Sequence, residues 1–146
     1  AAIHLALEND SEVIAEEAVD GYEVGCAVLG TQELTVGRVD RIELSGGFFD
    51  YTEKYTLKTA RIHMPAGVDA ETERRICETA KTIFRVLGCS GFARVDMFLT
   101  PDGEIVFNEV NTIPGFTSHS RYPNMMKGIG LSFPAMLDKL LGLYTE

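Results

Sequence analysis

The sequence predicts an α+β (α/β) domain in which an antiparallel sheet of about five or six strands is flanked by helices, packed mainly on one side. Three observations support this prediction. Residues 92–99 and 104–111 alternate in polarity around a Pro-Asp-Gly turn, which is typical of a β-hairpin. Apolar residues recur at helical spacing between residues 69 and 87. A second stripe at that spacing follows Ser132 and predicts a C-terminal helix.

Composition indicates one ordinary globular domain and excludes several classes of protein. The chain has 146 residues, which is enough for a sizeable core, and a formal net charge of −9, which argues against broad binding to nucleic acid or anionic membranes. No apolar run approaches the length of a membrane span. Three cysteines without metal-ligand spacing or a signal peptide indicate reduced thiols in a cytoplasmic protein, with a default role as small core residues.

The N-terminal part is expected to contain a helix followed by strands. Residues 1–10 predict a helix, and residues 12–18 alternate like a short strand. Residues 22–29 are apolar with Glu23 embedded, and a carboxylate in a buried strand is costly unless it is paired. The alternative is an edge position with Glu23 in water. Residues 34–44 predict a further strand with mixed charges.

A loop rich in aromatic residues follows a Gly-Gly pair. Its sequence at residues 48–55 is FFDYTEKY. A lysine flanked by aromatic residues, after a glycine hinge, suits a lid that closes over a phosphate and excludes water. The alternative is an aromatic loop packed on the surface. Residues 57–64 alternate as a short strand, and its lone His63 is interpreted as structural.

The predicted hairpin carries the polar residues from which a metal site is expected. Arg94, Asp96 and Phe98 share a face of the first strand, because strand side chains alternate. Phe107, Glu109 and Asn111 share a face of the second strand for the same reason. If those faces coincide, two carboxylates and an amide oxygen meet beside Arg94, a set that suits Mg²⁺. Arg94 would then neutralise charge on a transferring phosphoryl group. The alternative is a solvated hairpin with Arg94 in a salt bridge.

The segment after the hairpin, residues 112–120, reads TIPGFTSHS. Its Pro and Gly exclude regular structure and bring backbone N–H groups within reach of a ligand, and its hydroxyls are candidate donors to a carboxylate. His119 is interpreted as a simple loop histidine, and the alternative is that it serves as an electrostatic aid.

Three further helices are expected to pack on the sheet. Asp69 begins the longest and Gly88 ends it, while residues 122–130 form a short helix that Gly128 ends and Ser132 caps the last one. The expected core residues of the longest helix are Ile76, Ala80, Ile83, Phe84 and Leu87. Those of the last helix are Phe133, Met136, Leu137, Leu140 and Leu141.

The motifs ARVD at residues 93–96 and NEVNTIPGFTSHS at residues 108–120 resemble the metal and substrate region of the D-alanine–D-alanine ligase family, an ATP-grasp family. The resemblance extends over almost the whole chain and is closest to the D-alanine–D-serine ligases of vancomycin resistance. Members of the family are longer and have three domains. The resemblance therefore implies that residues 1–146 are the C-terminal ATP-grasp domain of a longer three-domain ligase, which is expected to be a homodimer at full length.

The resemblance also implies roles for individual residues at the metal and phosphate site. Asp96, Glu109 and Asn111 would hold Mg²⁺, as one ion or two, and Mn²⁺ would substitute for it. Arg94 and Lys54 would stabilise the transferring phosphoryl group, and Lys54 would contact the ATP phosphates through a loop that matches the family's D-Y-x-x-K-Y pattern.

For the nucleoside of ATP, Gly21-Tyr22-Glu23 matches the family's G-x-E pattern, whose Glu binds the ribose hydroxyls. Glu16, Glu17 and Val19 fall at the adenine-contacting positions, although Glu17 stands where many members have Lys. Phe98 is assigned to the same nucleotide site. The alternative for the two glutamates is a solvated strand end.

For the second amino acid, the resemblance implies that Ser120 contacts the carboxylate and acts as a catalytic residue. Arg121 stands where D-alanine–D-alanine ligases usually carry Leu, and an added cation and donor suits a polar side chain, so D-serine is favoured over D-alanine. The alternative is that Arg121 points to solvent. The predicted substrate-binding residues are Tyr55, which helps latch the closed loop, Phe49, Asp40, Gly115, Ser120 and Arg121.

The implied function is an ATP-dependent ligase that joins D-alanine to a second D-amino acid through an acyl phosphate, in peptidoglycan precursor synthesis and vancomycin resistance. Its partners would be ATP, D-alanine and D-serine, with no nucleic acid and no membrane. Alternatives are a D-alanine–D-alanine ligase, another carboxylate–amine ligase, a nucleotide-binding module without catalysis, or a metal-binding structural domain. This chain alone is expected to bind nucleotide weakly and to show no turnover, because residues that bind the first D-alanine would lie outside it.

Overall fold

The computed structural model describes residues 2–44 and 60–145. Within them the strands form one antiparallel sheet in the order β4-β3-β1-β5-β6, and β2 pairs with β1 beside β3. The strands are β1 Tyr22–Gly30, β2 Leu34–Val36, β3 Asp40–Leu44, β4 Ala60–His63, β5 Gly91–Leu99 and β6 Ile105–Asn111. The helices are α1 Ala2–Leu7, α2 Ala70–Val86, α3 Arg121–Lys127 and α4 Phe133–Gly142. The predicted antiparallel sheet is confirmed.

Helices cover both faces of this sheet, so the prediction that they pack mainly on one side is wrong. Helix α2 packs its buried residues, including Phe84, against a face of β1 and β5 that includes Val24 and Val95. Helices α3 and α4 cover the opposite face, where Leu29 meets Tyr122. The physical reason lies in β1, whose side chains are buried at successive positions. A strand that is apolar on both faces needs cover on both.

Strand β1 is the centre of the sheet because it pairs along its whole length with β5 on one side and with β2 and then β3 on the other. The predicted single strand at residues 34–44 is therefore two strands. The break lies at Gly37, where the Gly37 N–H donates to the Ala27 carbonyl at 2.9 Å and the next N–H, of Arg38, donates to Met125 O at 3.0 Å. This step lets helix α3 pack on the sheet and brings Asp40 opposite Gly25.

The N-terminal predictions are only partly correct. The helix is confirmed over Ala2–Leu7, but the strand expected at residues 12–18 does not form, and this segment is irregular and exposed. Ile14, for example, is 86% exposed. No strand of the described residues pairs with the segment, and alternation of polarity cannot stabilise a strand that has no hydrogen-bonded neighbour.

The helix expected after Asp69 is confirmed. The Asp69 carboxylate caps it by accepting the backbone N–H of Glu71 at 3.0 Å and of Thr72 at 2.9 Å. The hydroxyl of Thr72, which also donates to Asp69, lowers the pKa of this carboxyl group. Leu87 is 55% exposed because the helix has already ended, so its assignment to the core is wrong, whereas Phe84 is fully buried.

Substitutions at the end of α2 should distinguish these two positions. We expect Phe84→Ala to lower the free energy of unfolding by about 3–5 kcal/mol, because it leaves a cavity in a fully buried layer. Leu87→Ala, at the exposed C-cap, should change it by less than about 1 kcal/mol. Urea unfolding of both variants measures the difference. Equal losses would contradict the burial of α2 described above.

The C-terminal helices agree with the expected bounds, and the cysteines with the expected free thiols. Gly128 ends α3, and Ser132 caps α4 by accepting the Ala135 N–H at 3.4 Å. Of the predicted core residues of α4, Met136 is fully buried and Leu140 is partly buried. Phe133, Leu137 and Leu141 are 41%, 37% and 66% exposed, so their assignment to the core is wrong. The cysteines are free thiols, of which only Cys26 is fully buried. No helix in residues 2–44 and 60–145 has the length and apolar character needed to span a membrane.

Candidate functional site

A row of acidic residues crosses the sheet on the face that carries α3. Gly25 of β1 lies opposite Asp40 of β3 on one side and opposite Asp96 of β5 on the other. Asp96 lies in turn opposite Glu109 of β6. Residues paired across antiparallel strands point to the same face, so Asp40 and Asp96 flank a position that has no side chain, and Glu109 lies next to Asp96 in the same row.

The neighbouring rows add the remaining predicted residues of the hairpin. Arg94 lies opposite Asn111, one row from the acids and on the same face, and Glu23 lies opposite Phe98. The expected convergence of Asp96, Glu109 and Asn111 on one face is therefore confirmed, while their role as metal ligands stays a prediction.

A register shift between Asp96 and Met97 changes the pairing of β6 with β5 beyond this point. It pairs Phe107 with Met97, a buried residue of the α2 face. The prediction that Phe107 shares the face of Glu109 and Asn111 is wrong, because a bulge adds a residue to one strand and reverses its facing.

Asp96 is buried, with a side chain only 1% exposed, and Arg94 neutralises it. The Nε of Arg94 donates to both Asp96 oxygens at 2.9 Å, and its Nη2 donates to Oδ2 at 2.7 Å. The salt bridge that was the alternative to a metal site is thus present. This salt bridge lies in a desolvated row of side chains. On a solvated hairpin, the same salt bridge would be much weaker.

Arg121, the first residue of α3, joins three carboxylates. Its Nε donates to Asp40 Oδ2 and its Nη2 donates to Asp40 Oδ1, each at 2.8 Å. Its Nη1 donates to Glu23 Oε1 at 2.9 Å. Its Nη2 also lies 3.4 Å from Asp96 Oδ1. With 12% of its side chain exposed, Arg121 does not point to solvent, so that alternative is wrong. Burial acts to lower the pKa of Arg121, but the carboxylates, Asp40 first, raise it above its ordinary value.

Glu23 has the partner that an embedded acid requires, because Arg121 donates to it and its side chain is only 16% exposed. Burial raises the pKa of Glu23 above its ordinary value of 4.5, and the attraction of Arg121 opposes that rise only in part. The alternative in which Glu23 lies in water at a sheet edge is wrong, since β1 is the central strand.

The raised pKa predicts a specific pH dependence. A folded state that holds the Glu23 proton more tightly than the unfolded state gains stability below pH 4.5 and loses it as the pH rises through the folded pKa. We therefore expect Glu23→Gln to become more stable relative to the unmutated chain between pH 4 and pH 7, as measured by urea unfolding at roughly these two values. Exposed Glu12→Gln is the control, and an equal trend in both variants would contradict the prediction.

The chemistry of this cluster fits Mg²⁺. In the described part of the chain, Glu23, Asp40, Asp96 and Glu109 bring four carboxylates to this face of the sheet, beside the guanidinium groups of Arg94 and Arg121. No group of three or more His, Cys, Asp or Glu suited to a metal occurs in the described part of the chain. A lean set of oxygen ligands is what Mg²⁺ uses when water and phosphates complete its shell.

Asn111 and Asp96 differ in how much of their bonding capacity is already used. Asn111 Oδ1 accepts the N–H of Ile113 at 3.1 Å and retains a second lone pair. Asp96 already accepts three bonds from Arg94, so it is the more committed of the two. Asp96, Glu109 and Asn111 are thus oxygen donors of the kind that Mg²⁺ takes, and Asp96 would be shared between the ion and Arg94.

The loop at residues 112–120 is held by local bonds that centre on Ser120. Its Oγ accepts the N–H of Thr117 at 3.0 Å and lies 2.9 Å from the Thr117 hydroxyl. A Cβ at Gly115 would lie 2.8 Å from this Oγ, so glycine leaves room for the hydroxyl. Asn124 of α3 donates to the carbonyls of Ser118 at 3.1 Å and Ser120 at 2.9 Å.

An aromatic cluster fixes the same loop on the sheet. Phe116 stacks on buried Tyr122 with ring centroids 5.4 Å apart and meets the edge of Phe92 at 5.1 Å. Tyr122 donates its hydroxyl to Val28 O at 3.0 Å, and burial raises the pKa of that hydroxyl. The loop that carries Ser120 is therefore positioned by this packing as well as by its local hydrogen bonds.

A cleft of about 270 Å³ opens beside the Asp40–Arg121 pair and is bounded by His119 and Asn124. Ile62 and Met64 line its other side. Sequence reasoning did not assign a role to Asn124, Ile62 or Met64, because their positions depend on contacts between distant elements. The motif around Arg121 was the only local signal for this cleft.

A second, more open cleft of about 600 Å³ lies at the other end of β5 and β6. Glu17 and Val19 line it together with Val106 and the turn at Thr100 and Asp102. Two of the three residues predicted for adenine thus border one cavity, whereas Glu16 is exposed and is not among its lining residues. The predicted residues Phe49, Lys54 and Tyr55 lie outside the described residues.

Comparisons with known proteins identify relatives of this chain. The family model for the D-ala D-ala ligase C-terminus matches residues 1–142. Vancomycin B-type resistance protein VanB of Enterococcus faecalis is 49% identical over 100% of this chain and 44% of its own length. A D-alanine–D-alanine ligase of Chlorobium phaeovibrioides is 42% identical over 99% of this chain and 40% of its own length.

A solved structure resembles the chain more closely still. The crystal structure of VanG D-Ala:D-Ser ligase from Enterococcus faecalis is 76% identical, with a TM-score of 0.89 over 99% of this chain and 42% of that protein. The chain thus spans less than half the length of each relative described here.

Proposed function

Because the chain belongs to the D-alanine–D-alanine ligase C-terminal family, we propose that it is the C-terminal domain of a longer ATP-dependent ligase that joins D-alanine to D-serine. The proposed reaction supplies cell-wall precursors that confer vancomycin resistance, in the cytoplasm, where thiols stay reduced. The observation that carries the choice of D-serine is the Arg121–Asp40 pair at the wall of a cleft, since this pair offers polar contacts for a hydroxyl group.

In the proposed site Asp96, Glu109 and Asn111 would hold Mg²⁺, which when bound supplies charge neutralisation and orientation for the phosphates of ATP. Arg94 faces the same row and stabilises the negative charge of the phosphoryl group in transfer, together with Lys54. Glu23 accepts the ribose hydroxyls, and the base lies toward the cleft bordered by Glu17 and Val19.

The proposed reaction has two steps, and both balance without a protein nucleophile. A carboxylate oxygen of D-alanine attacks the γ-phosphorus of ATP, the bond from that phosphorus to the bridging oxygen breaks, and ADP leaves. The amino group of D-serine then attacks the acyl carbon, the C–N bond forms, phosphate leaves and the nitrogen loses a proton. Catalysis is by positioning and charge stabilisation.

The second amino acid is bound at the cleft beside α3 in this proposal. Ser120 donates to its carboxylate, and Arg121 presents a donor to its side-chain hydroxyl. Arg121 has five N–H donors, and its bonds to Asp40 and Glu23 leave part of Nη1 for a ligand. A site built to hydrogen-bond a hydroxyl discriminates strongly against a substrate that lacks it.

A competition experiment tests the proposal. The full-length ligase is given ATP, D-alanine and an equal concentration of D-serine, and the two dipeptides are quantified by mass spectrometry. The D-Ala–D-Ser product should predominate. Predominance of D-Ala–D-Ala would support the second candidate, a D-alanine–D-alanine ligase, which the identity to the Chlorobium enzyme favours. Nucleotide binding without any dipeptide would contradict both.

A further inference from the structure

Gly25 lies at the centre of the acidic row, directly beneath the guanidinium group of Arg121. The aspartates paired with it on both sides, Asp40 and Asp96, both approach Nη2 of that arginine. A Cβ built at position 25 would overlap Arg121 Nη2 and would lie 2.6 Å from Asp40 Oδ1 and 2.8 Å from Met125 Cε. Real Cβ atoms essentially never come this close to another heavy atom.

The backbone gives no reason for glycine at this position. Gly25 is not among the glycines with positive φ, and it lies inside a regular strand that is paired on both sides. Glycine in a strand interior weakens the strand, because it has more conformational freedom to lose and no side chain to pack. Only the close approach of a neighbouring group accounts for it here, and that group is the Arg121–Asp40 pair.

We propose that Gly25 is a specificity-determining positioning residue, whose missing side chain seats the Arg121–Asp40 pair against the sheet. The inference rests on the proposed function, in which Arg121 contacts the second amino acid. The Gly25 N–H also donates to Asp40 Oδ1 at 3.2 Å, so the same residue holds the carboxylate from below. Asp40 accepts hydrogen bonds from the Gly25 N–H and from two nitrogens of Arg121. It thereby fixes the plane of the guanidinium group.

A methyl group at position 25 would push the guanidinium group toward the cleft, because the backbone of the central strand cannot retreat. The donor that faces the substrate would then shift by a distance comparable to a bond length. A misplacement of roughly 1 Å is enough to lower the rate of a positioned reaction by about 100-fold. The loss should fall on the substrate that needs the donor, D-serine, and spare D-alanine.

The test is Gly25→Ala in the full-length ligase, with kcat/KM measured separately for D-serine and D-alanine as the second substrate. We expect the ratio of the two values to fall by about tenfold or more. Gly142→Ala is the control, because a Cβ at Gly142 would meet no heavy atom within 4 Å, and it should leave the ratio unchanged. A merely structural role for Gly25 would lower both values together.

The outcomes separate this inference from the proposed function. If the unmutated ligase has no preference for D-serine, the proposed function fails and this inference fails with it. If it prefers D-serine and Gly25→Ala keeps the full ratio, only the inference is overturned.

A second variant covers the case in which Gly25→Ala does not fold. Arg121→Lys removes the Nη2 atom that the added methyl group would overlap. Gly25→Ala should therefore cost less stability in the Arg121→Lys background than alone, and should lower the D-serine ratio no further. Unfolding in both backgrounds would assign Gly25 to folding and overturn the inference.

Discussion

Asp96→Asn in the full-length ligase is expected to lower kcat by at least about 100-fold, because the variant would lose a charged oxygen ligand of the proposed Mg²⁺ site, where phosphoryl charge would develop. The side chain keeps its size, but it is 1% exposed and its new amide N–H₂ group would face the donors of Arg94. Steady-state phosphate release with D-alanine and D-serine measures the effect. The KM for D-serine should change much less than kcat.

The control for this prediction is an aspartate outside both clefts. Asp138 is an exposed residue of α4, and Asp138→Asn should leave kcat within about twofold, as expected for a surface substitution away from a special feature. Retention of turnover by Asp96→Asn would contradict the metal role. Loss of turnover with an unchanged shift in melting temperature on addition of ATP would still support it, because the proposed nucleotide site also includes Glu23 and the second cleft.

The parts of the fold that sequence reasoning predicted correctly are those determined by neighbouring residues. The Pro-Asp-Gly turn and the alternation around it specify the hairpin of β5 and β6, and Asp69 specifies the start of α2. In each case the residues that decide the structure lie within a few positions of one another. The same holds for the facing of Asp96 and Glu109, which follows from the hairpin register.

The incorrect predictions concern segments whose structure depends on contacts with an element far away in the sequence. Residues 12–18 alternate in polarity but have no partner strand in the described part of the chain, and the strand expected at residues 34–44 is broken at Gly37, where α3 packs. A glycine inside a predicted strand often marks a bulge or the close approach of another group, so Gly37 already indicated a break in this strand. Gly25 is the same kind of signal at the site itself.

The central feature of the site could not be predicted from local pattern, because it joins residues far apart in the chain. Arg121 and Asp40 are separated by 81 positions, and Arg121 and Glu23 by 98. Sequence reasoning placed Arg121 near the second substrate by resemblance and gave Glu23 a separate role at the ribose. The structure adds that the two side chains are hydrogen-bonded to each other, so a substitution of one should affect the other.

Arg121→Leu is the second substitution for which we expect a large effect. It would leave Asp40, Glu23 and Asp96 without the cation that joins them, in a place where these carboxylates are 1%, 16% and 1% exposed. Removing one partner of a buried ion pair costs about 3–5 kcal/mol, because an uncompensated charge remains in a poorly hydrated site. Urea unfolding of this chain measures the loss. Arg74→Leu, which breaks an ion pair whose arginine is 62% exposed, should cost less than about 1 kcal/mol.

The origin of that loss can be separated from the loss of packing. If it comes from unpaired charge, then Asp40→Asn added to Arg121→Leu should restore part of the stability, although Asp40→Asn alone should be destabilising. If it comes from packing alone, the second substitution should restore nothing. Arg121→Leu should also abolish the preference for D-serine in the full-length ligase, since it removes the donor at the cleft. A stable Arg121→Leu variant that still selects D-serine would contradict both the charge network and its proposed role in substrate choice.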